Sequence, residues 1–278
     1  MMYLFNKTSG DCSRITAENY STSFASAIKL LHKDLRNDIY NIYGFVRFTD
    51  EIVDTFHDYD KEALLQAFCD ETYKAIETGI SLNPILHSFQ LTVNKHRLDI
   101  SLIDAFFRSM KSDLKTICYD ETLYREYIYG SAEVVGLMCL YIFCEGNKKL
   151  YDELKAYAKS LGAAFQKVNF LRDVKSDNEQ LHRMYFPGCN FKKFSFADKV
   201  KIEEDIQKDF DNAYTGILLL PEKARFGVYV AYKYYLSLFK KIKKLKAAKF
   251  LENRTRIPDY GKALIVAKAG LLNQLNLL

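Results

Sequence analysis

Apolar residues recur along this chain at the 3.6-residue period of amphipathic helices, and no pair of alternating segments joined by a turn predicts a β-hairpin. The 4 prolines and 12 glycines are scattered and do not gather in a linker. The pattern therefore predicts an all-α protein with a single domain over residues 1–278. The predicted helices cover residues 17–31, 35–55, 60–78, 84–94, 100–116, 121–144, 148–176, 197–219, 221–246 and 259–275.

The longest uncharged apolar run covers residues 134–144. It is about half of the roughly 20 residues that cross a bilayer, so it predicts a buried core helix and no membrane anchor. The N-terminal residues lack the basic region, apolar stretch and cleavage site of a signal peptide, and we expect a cytoplasmic protein. The 6 cysteines contain no Cys-x-x-Cys pair and are predicted to be reduced packing residues. The irregular stretch 182–195 is long enough to carry function.

The formal net charge of +5 is unevenly distributed, because residues 240–249 contain six lysines. Two interpretations stay open for this segment. It forms either a solvated helix face or a surface that attracts anionic lipid headgroups or an anionic substrate. Nucleic acid is not an expected partner, since the lysines are not interleaved with stacking aromatic residues and no nucleic-acid-binding motif is present.

Acidic residues occur at helical spacing on two of the predicted helices. Asp50 and Asp54 are one turn apart, so their side chains lie about 6 Å apart along the helix axis. Asn169, Asp173 and Asp177 repeat this spacing and line a stripe about 12 Å long. Because carboxylates this close repel each other, they need a cation wherever the face is not fully solvated.

Oxygen ligands at this spacing suit a hard ion such as Mg²⁺, with Mn²⁺ as the alternative, and they do not suit zinc. Arg47 and Arg172 adjoin the two motifs, and the presence of both motifs in one helical chain favours a metal site. A solvated face explains either motif taken alone. A di-iron bundle needs two Glu-x-x-His motifs, of which only the one from Glu179 to His182 is present. An EF-hand is excluded by the ligand spacing and the missing loop glycine.

Five segments resemble, in the same order, motifs of the squalene and phytoene synthase family, and the bacterial phytoene synthases are the most similar group. The similarity extends over essentially the whole chain. The segments are STSF (21–24), IYGFVRFTDEIVD (42–54), YIYGSAEVVG (127–136), AFQKVNFLRDVKSD (164–177) and RMYFP (183–187).

The resemblance implies an isoprenoid synthase fold whose central cavity lies between helices that carry the two acidic motifs on opposite walls. It also implies a reaction in which two prenyl diphosphates are joined head to head. For a phytoene synthase, two molecules of geranylgeranyl diphosphate give a cyclopropylcarbinyl (prephytoene) diphosphate, which ionises again, rearranges and loses a proton. No NADPH is expected, because only the squalene branch adds a hydride.

The resemblance further assigns functions to individual side chains. It implies that Mg²⁺ is bound by Asp50, Asp54, Asn169, Asp173 and Asp177. It implies that the charged catalytic residues are Asp50, Asp54, Asp173, Asp177, Arg47 and Arg172. The implied substrate-binding residues are Ser21, Phe24, Tyr43, Tyr127, Ala132, Gly136, Gln166, Tyr235 and Arg254.

Two alternatives to the phytoene reaction stay open. The first is a C30 synthase that makes squalene, presqualene diphosphate or dehydrosqualene from farnesyl diphosphate. The second is a non-catalytic assembly subunit. The presence of both intact acidic motifs argues against this second alternative. The chain also departs from the family pattern at Thr22, where many members have a basic residue. Because substrate tails and product are hydrocarbon, a peripheral contact with a membrane is a further expectation.

Overall fold

The computed structural model describes residues 1–115, 119–180, 185–187, 196–245 and 255–275, with the backbone alone for 175–180 and 196. Regular structure in these residues is entirely helical, which confirms the all-α class. The helices are α1 Met2–Tyr20, α2 Thr22–Lys29, α3 Lys33–Asp54, α4 Lys61–Thr78, α5 Pro84–His96, α6 Ile100–Asp113, α7 Glu121–Ile128, α8 Val134–Phe143, α9 Lys148–Gln180, α10 Phe196–Leu219, α11 Glu222–Lys243 and α12 Asp259–Gln274.

The N-terminal region differs from the prediction of one helix over residues 17–31. Helix α1 begins at Met2, and the chain breaks at Ser21, whose backbone is extended and whose hydroxyl accepts a hydrogen bond from the Phe24 amide at 3.2 Å. The residues that α1 buries are small, and a Cβ added to Gly44 of α3 would lie 2.6 Å from the Ser13 hydroxyl. A helix buried through such small residues has little of the apolar periodicity on which the prediction depends.

The predicted helix 121–144 contains a π-helical turn, Tyr129–Glu133, between α7 and α8. The widened turn is supported by two hydroxyl groups that donate to the Tyr127 carbonyl, Ser131 at 2.7 Å and Ser109 at 3.2 Å. Single π turns inside helices are frequent at functional sites, because the extra residue redirects side chains. Here the turn directs Ser131 and Ala132 toward the central cavity described below.

Side-chain caps define several of the helix starts. Asp60, Asn83 and Asp99 each accept hydrogen bonds from amides of the first turn of α4, α5 and α6. The core that these helices share with α3 is aromatic, and the rings of Phe45 and Phe89 stack with a centroid distance of 3.8 Å. This packing holds α3 in place through the face that is opposite to its acidic residues.

The predicted core helix at residues 134–144 is confirmed, since Val134, Met138 and Ile142 of α8 are completely buried. No helix in the described ranges has both the length and the apolar character needed to cross a membrane. The thiols of Cys12, Cys69, Cys139 and Cys144 are free, as predicted, whereas Cys118 and Cys189 lie outside the described residues. Of the irregular stretch 182–195, only residues 185–187 are described.

Candidate active site

A cavity of about 600 Å³ lies between the helices and is lined mainly by α2, α3, α8, α9 and α11. Its lining changes character along α3, from Ile39 and Ile42 to Asp50 and Asp54. Because a residue adds about 1.5 Å to a helix, this change extends over roughly 20 Å. The cavity therefore has an apolar interior and an acidic end.

Helix α9 shows the same gradient on its own face of the cavity. Leu154 and Leu161 line the apolar interior, and Asn169, Arg172 and Asp173 follow nearer the C-terminal end of the helix. The two acidic motifs that are separated by more than 100 residues of sequence thus line a single cavity. A molecule with an anionic head and a long apolar tail fits this distribution of polarity.

Ionisation of Asp50 on the α3 wall is unfavourable without a cation. Burial raises the pKa of Asp50 to about 8, and the negative charges of Asp54 and Asp113 add to this effect, whereas Arg47 opposes it. Arg47 forms an ion pair with Glu51 and lies over the ring of Tyr20 at 4.4 Å. Glu51 thus holds the Arg47 guanidinium from one helical turn further along α3.

On the α9 wall, polar side chains hold one another in place. Asp173 accepts hydrogen bonds from the Arg172 guanidinium at 3.0 and 2.5 Å, and Asn169 accepts one from the Tyr235 hydroxyl at 3.3 Å. Gln166 donates to the Ser131 hydroxyl at 3.2 Å and so connects this wall to the π turn. Asp177 continues α9 one turn beyond Asp173, but its side chain and the whole of Arg254 lie outside the described residues.

The donor set fits magnesium. The oxygen donors of the two acidic motifs that are described at this end of the cavity belong to Asp50, Asp54, Asn169 and Asp173. Among the described side chains no three carboxylate, histidine or cysteine groups converge as a closed metal cage does. Mg²⁺ does not require one, since it is usually bound by one or two carboxylates together with waters and substrate phosphates.

Aromatic rings cover the cavity between its acidic and apolar parts. Phe24 contacts Tyr43 and Tyr235 with centroid distances of 6.0 and 5.5 Å, and Phe165, which was not predicted, stacks on Tyr235 at 4.0 Å. Burial raises the pKa of Tyr43 to about 12 and also raises the pKa of Tyr235. Both phenols therefore remain neutral and offer π faces and hydroxyl groups to a ligand.

Ala132 and Gly136 line the cavity, and a close crossing of helices explains why residue 136 is a glycine. A Cβ added to Gly136 would lie 2.8 Å from the Ala158 carbonyl oxygen, and one added to Gly162 would lie 2.5 Å from the Ala132 carbonyl oxygen. The two glycines thus allow α8 and α9 to approach each other. A larger residue at either glycine position would separate the helices or fill the cavity.

Asp113, at the end of α6, lines the cavity and was not identified from the sequence. Its carboxylate is buried and accepts a 2.7 Å hydrogen bond from the Tyr127 hydroxyl. Burial and this charge raise the pKa of Tyr127. No local signal identifies Asp113, because it is a single acidic residue near a helix end in a different part of the chain from both motifs.

Lys262 of α12 was also not predicted. Its ammonium group donates to the Thr22 hydroxyl at 2.5 Å, next to Ser21, which lines the cavity. Thr22 is the position at which many family members have a basic residue. The tertiary structure therefore brings a cation to this point from a helix about 240 residues away in the sequence.

The helical architecture and the cavity with an acidic end define an isoprenoid synthase fold. The chain belongs to the squalene/phytoene synthase family, because the sequence profile of that family, Squalene/phytoene synthase, matches residues 17–260. The family consists of prenyltransferase-type synthases that act on prenyl diphosphates. The resemblance and the fold inferred from the sequence are both confirmed.

Individual relatives carry different product names. A 4,4'-diapophytoene synthase from Staphylococcus haemolyticus is 24% identical over 267 residues, which cover 88% of this chain and 90% of the relative. A phytoene synthase from Pseudescherichia vulneris is 28% identical over 62% of this chain and 58% of its own length. A dehydrosqualene synthase with bound ligand has the same fold, with a TM-score of 0.81 and 18% identity over 97% of this chain and 98% of that chain.

Proposed function

We propose that this protein is a phytoene synthase that joins two molecules of geranylgeranyl diphosphate through a cyclopropylcarbinyl diphosphate. The observation that carries the proposal is the parallel change of polarity along α3 and α9, from aliphatic residues inside the cavity to acidic residues at one end. Such a cavity accepts a prenyl chain in its apolar part and a diphosphate at the acidic end. The match to the squalene/phytoene synthase family over residues 17–260 supports the reaction type.

Diphosphate becomes a good leaving group when its negative charge is neutralised. Bound Mg²⁺, or Mn²⁺ in its place, would supply this neutralisation as a Lewis acid. Asp50 and Asp54 would hold the metal on one wall, and Asn169 and Asp173 on the other, with Asp177 continuing that stripe. Arg47 and Arg172 would exchange their present partners, Glu51 and Asp173, for diphosphate oxygens and bind them through charge-assisted hydrogen bonds.

The carbocations formed after diphosphate departure must be kept from water. The rings of Phe24, Phe165 and Tyr235 pack against one another beside the acidic end and would exclude water while presenting π faces to positive charge. Tyr127, with its hydroxyl held by Asp113, lies on the same cavity. Loss of a proton to the released diphosphate or to a water near a tyrosine would complete the phytoene reaction.

A C30 reaction with farnesyl diphosphate is the second candidate. It is favoured by the extended match to a 4,4'-diapophytoene synthase and by the fold shared with a dehydrosqualene synthase. The same residues would perform both reactions, because the two differ in tail length and not in the chemistry at the diphosphate. Substrate length then depends on the depth of the apolar part of the cavity.

One experiment distinguishes the candidates. Purified protein is incubated with Mg²⁺ and either farnesyl or geranylgeranyl diphosphate, and the hydrocarbon is identified by mass and ultraviolet absorption. We expect a C40 product with the bands of a conjugated triene, and no change of rate or product on addition of NADPH. A strong preference for farnesyl diphosphate would replace the phytoene assignment with the C30 assignment. Absence of any product would contradict both.

We also propose that the protein contacts a membrane from one side. The substrate tails and the product are hydrocarbon, so exchange with a lipid surface avoids their exposure to water. Lys240, Lys241, Lys243 and Lys244 are exposed at the end of α11, and the remaining lysines of the 240–249 segment lie outside the described residues. Each lysine near an anionic leaflet contributes about 1 kcal/mol, an attraction that salt weakens.

A further inference from the structure

Helix α12 is apolar on two opposite sides. Its inner side packs against the core through Ile265, Val266 and Leu272, and Ala269 between them is buried. Its outer side carries four large apolar residues that are exposed to solvent. They are Tyr260, Leu264, Leu271 and, directly after the last helical residue, Leu275, with 74%, 57%, 61% and 65% of their surface exposed.

The four outer residues form one stripe. Their spacings of 4, 7 and 4 residues repeat the period of an α-helix, so the side chains follow one another along a single face. A helix that is apolar on all sides is normally buried on all sides. Contiguous apolar surface of this kind marks a contact with a partner or a membrane.

The charges on α12 and at the end of α11 are mostly positive. Lys268 is exposed on α12 itself, and the four exposed lysines at the end of α11 lie near the start of α12, where the Lys241 ammonium donates to the Arg256 carbonyl at 2.8 Å. Asp259 is the only acidic residue of α12, and it pairs with Lys262 at 3.0 Å. An apolar stripe bordered by lysines is complementary to an anionic lipid surface. A second copy of the chain would bring like charges together.

The start of α12 also lies at the rim of the cavity. Lys262 connects the helix to Thr22, and the adjacent Ser21 lines the cavity. A lipid surface that covers the outer face of α12 would therefore lie close to the part of the cavity that Ser21 lines. The rim, the lysines and the exposed Tyr260 occur at the same end of the helix.

We infer that the outer face of α12 docks onto an anionic membrane surface, with the helix axis in the plane of the headgroups and the leucines in the acyl boundary. The inference rests on the proposed function in one respect: the reaction of prenyl substrates explains why the protein would use a membrane. The docking itself depends on the exposed apolar stripe and on the lysines, and it is measurable without any substrate.

The test is co-sedimentation of the full chain with vesicles made of equal parts phosphatidylcholine and phosphatidylglycerol. The variant Leu264→Gln with Leu271→Gln removes the centre of the stripe and retains residues that favour helix. The matched control is Leu4→Gln with Leu219→Gln, which replaces two leucines of similar exposure, 65% and 55%, on α1 and α10. Circular dichroism and size-exclusion mass are recorded for all three proteins.

We expect the α12 variant to bind vesicles about fivefold to tenfold more weakly per leucine removed, and the control variant to bind as the unchanged protein does. Added salt and omission of phosphatidylglycerol should weaken binding of the unchanged protein. Equal losses in both variants, or no loss in either, would overturn the inference. A change of oligomeric mass in the α12 variant without loss of vesicle binding would identify the face as a contact between copies and would equally overturn it.

Failure of the proposed function is distinguishable from failure of the docking inference. Asp54→Asn should bind vesicles normally while lacking turnover, and the α12 variant should turn over normally with substrate dispersed in detergent. A protein without synthase activity that still docks through α12 would contradict only the reaction. A synthase that does not bind vesicles would contradict only the docking.

Discussion

The hydroxyl of Tyr127 donates a 2.7 Å hydrogen bond to the buried carboxylate of Asp113, and both residues line the cavity. The bond joins α7 to the end of α6 and aligns the phenol within the site. Asp113 also places a third negative charge near Asp50 and Asp54, since it contributes to the raised pKa of Asp50. Asp113 therefore acts as a positioning residue for Tyr127.

Replacement of this carboxylate should slow turnover without loss of the fold. Asp113→Asn retains the shape but replaces a charge-assisted hydrogen bond, so we expect kcat to fall about tenfold, with KM changed little. Tyr127→Phe removes the same bond from the other side. The two effects should not add in the double variant, because both remove one interaction. Additive losses measured by steady-state kinetics would contradict the positioning role.

Asp54→Asn should abolish turnover and leave helical content unchanged. In the metal-free protein its melting temperature should equal or slightly exceed that of the unchanged protein, because the substitution relieves repulsion with Asp50. Asp58→Asn, an exposed substitution after the end of α3, is the control and should affect neither property. A near-normal rate for Asp54→Asn would refute the metal assignment.

Asp173→Asn should also abolish turnover, but its effect on stability should differ. Asp173 forms a two-bond contact with Arg172, so its replacement removes an attraction. We therefore expect no gain in melting temperature for this variant. The comparison of the melting curves of Asp54→Asn and Asp173→Asn tests this difference.

The metal-free protein should lose stability as pH rises toward 8. Burial raises the pKa of Asp50 to about 8, whereas an unfolded aspartate has a pKa of about 3.9. The folded state therefore holds more protons than the unfolded state in this window, and the unfolding free energy falls as pH increases through it. Denaturant titrations with a chelator should show that Asp50→Asn lacks this decrease.

Magnesium and a diphosphate should reverse the trend in the unchanged protein. The bound Mg²⁺ cation stabilises the ionised form of the carboxylate and the diphosphate helps to retain the metal, so binding of the pair should favour proton release from Asp50. The control is Asp58→Asn, which should follow the pH profile of the unchanged protein. If the pH profile of Asp50→Asn were identical to that of the unchanged protein, another group would be the cause of the pH dependence.

Lys262→Gln should weaken binding of the diphosphate group. The ammonium lies at the rim on the Thr22 hydroxyl, so we expect KM to rise about tenfold with little change in kcat. Inhibition by inorganic pyrophosphate should weaken by a similar factor. Addition of Thr22→Lys to this variant should restore both values, because it returns a cation to the same place. Lys268→Gln, an exposed lysine on the same helix, is the control in detergent solution.

The outcome for Lys262 separates a binding role from a structural one. A melting temperature that falls in Lys262→Gln and recovers in the double variant, without any change in pyrophosphate inhibition, would show that the lysine only attaches α12 to α2. Unchanged KM and inhibition would contradict the binding role directly.

Local patterns predicted most of the helices and both acidic motifs. Helix α3 was predicted at 35–55 and is Lys33–Asp54, and α12 was predicted at 259–275 and is Asp259–Gln274. Asp50 and Asp54, and likewise Asn169 and Asp173, were placed one above the other because a helix sets that spacing by itself. Neighbours three and four residues apart need no tertiary contact to be aligned.

The tertiary structure decided the contacts between distant segments. It placed Asp113 against Tyr127, brought Lys262 to Thr22 and let small residues of α1 pack closely on Gly44. It also turned one side of α12 inward and left an equally apolar side exposed. Sequence periodicity records which residues share a helix face, but the partner of each face depends on how all the helices pack together, and this packing brought the two acidic motifs into one cavity.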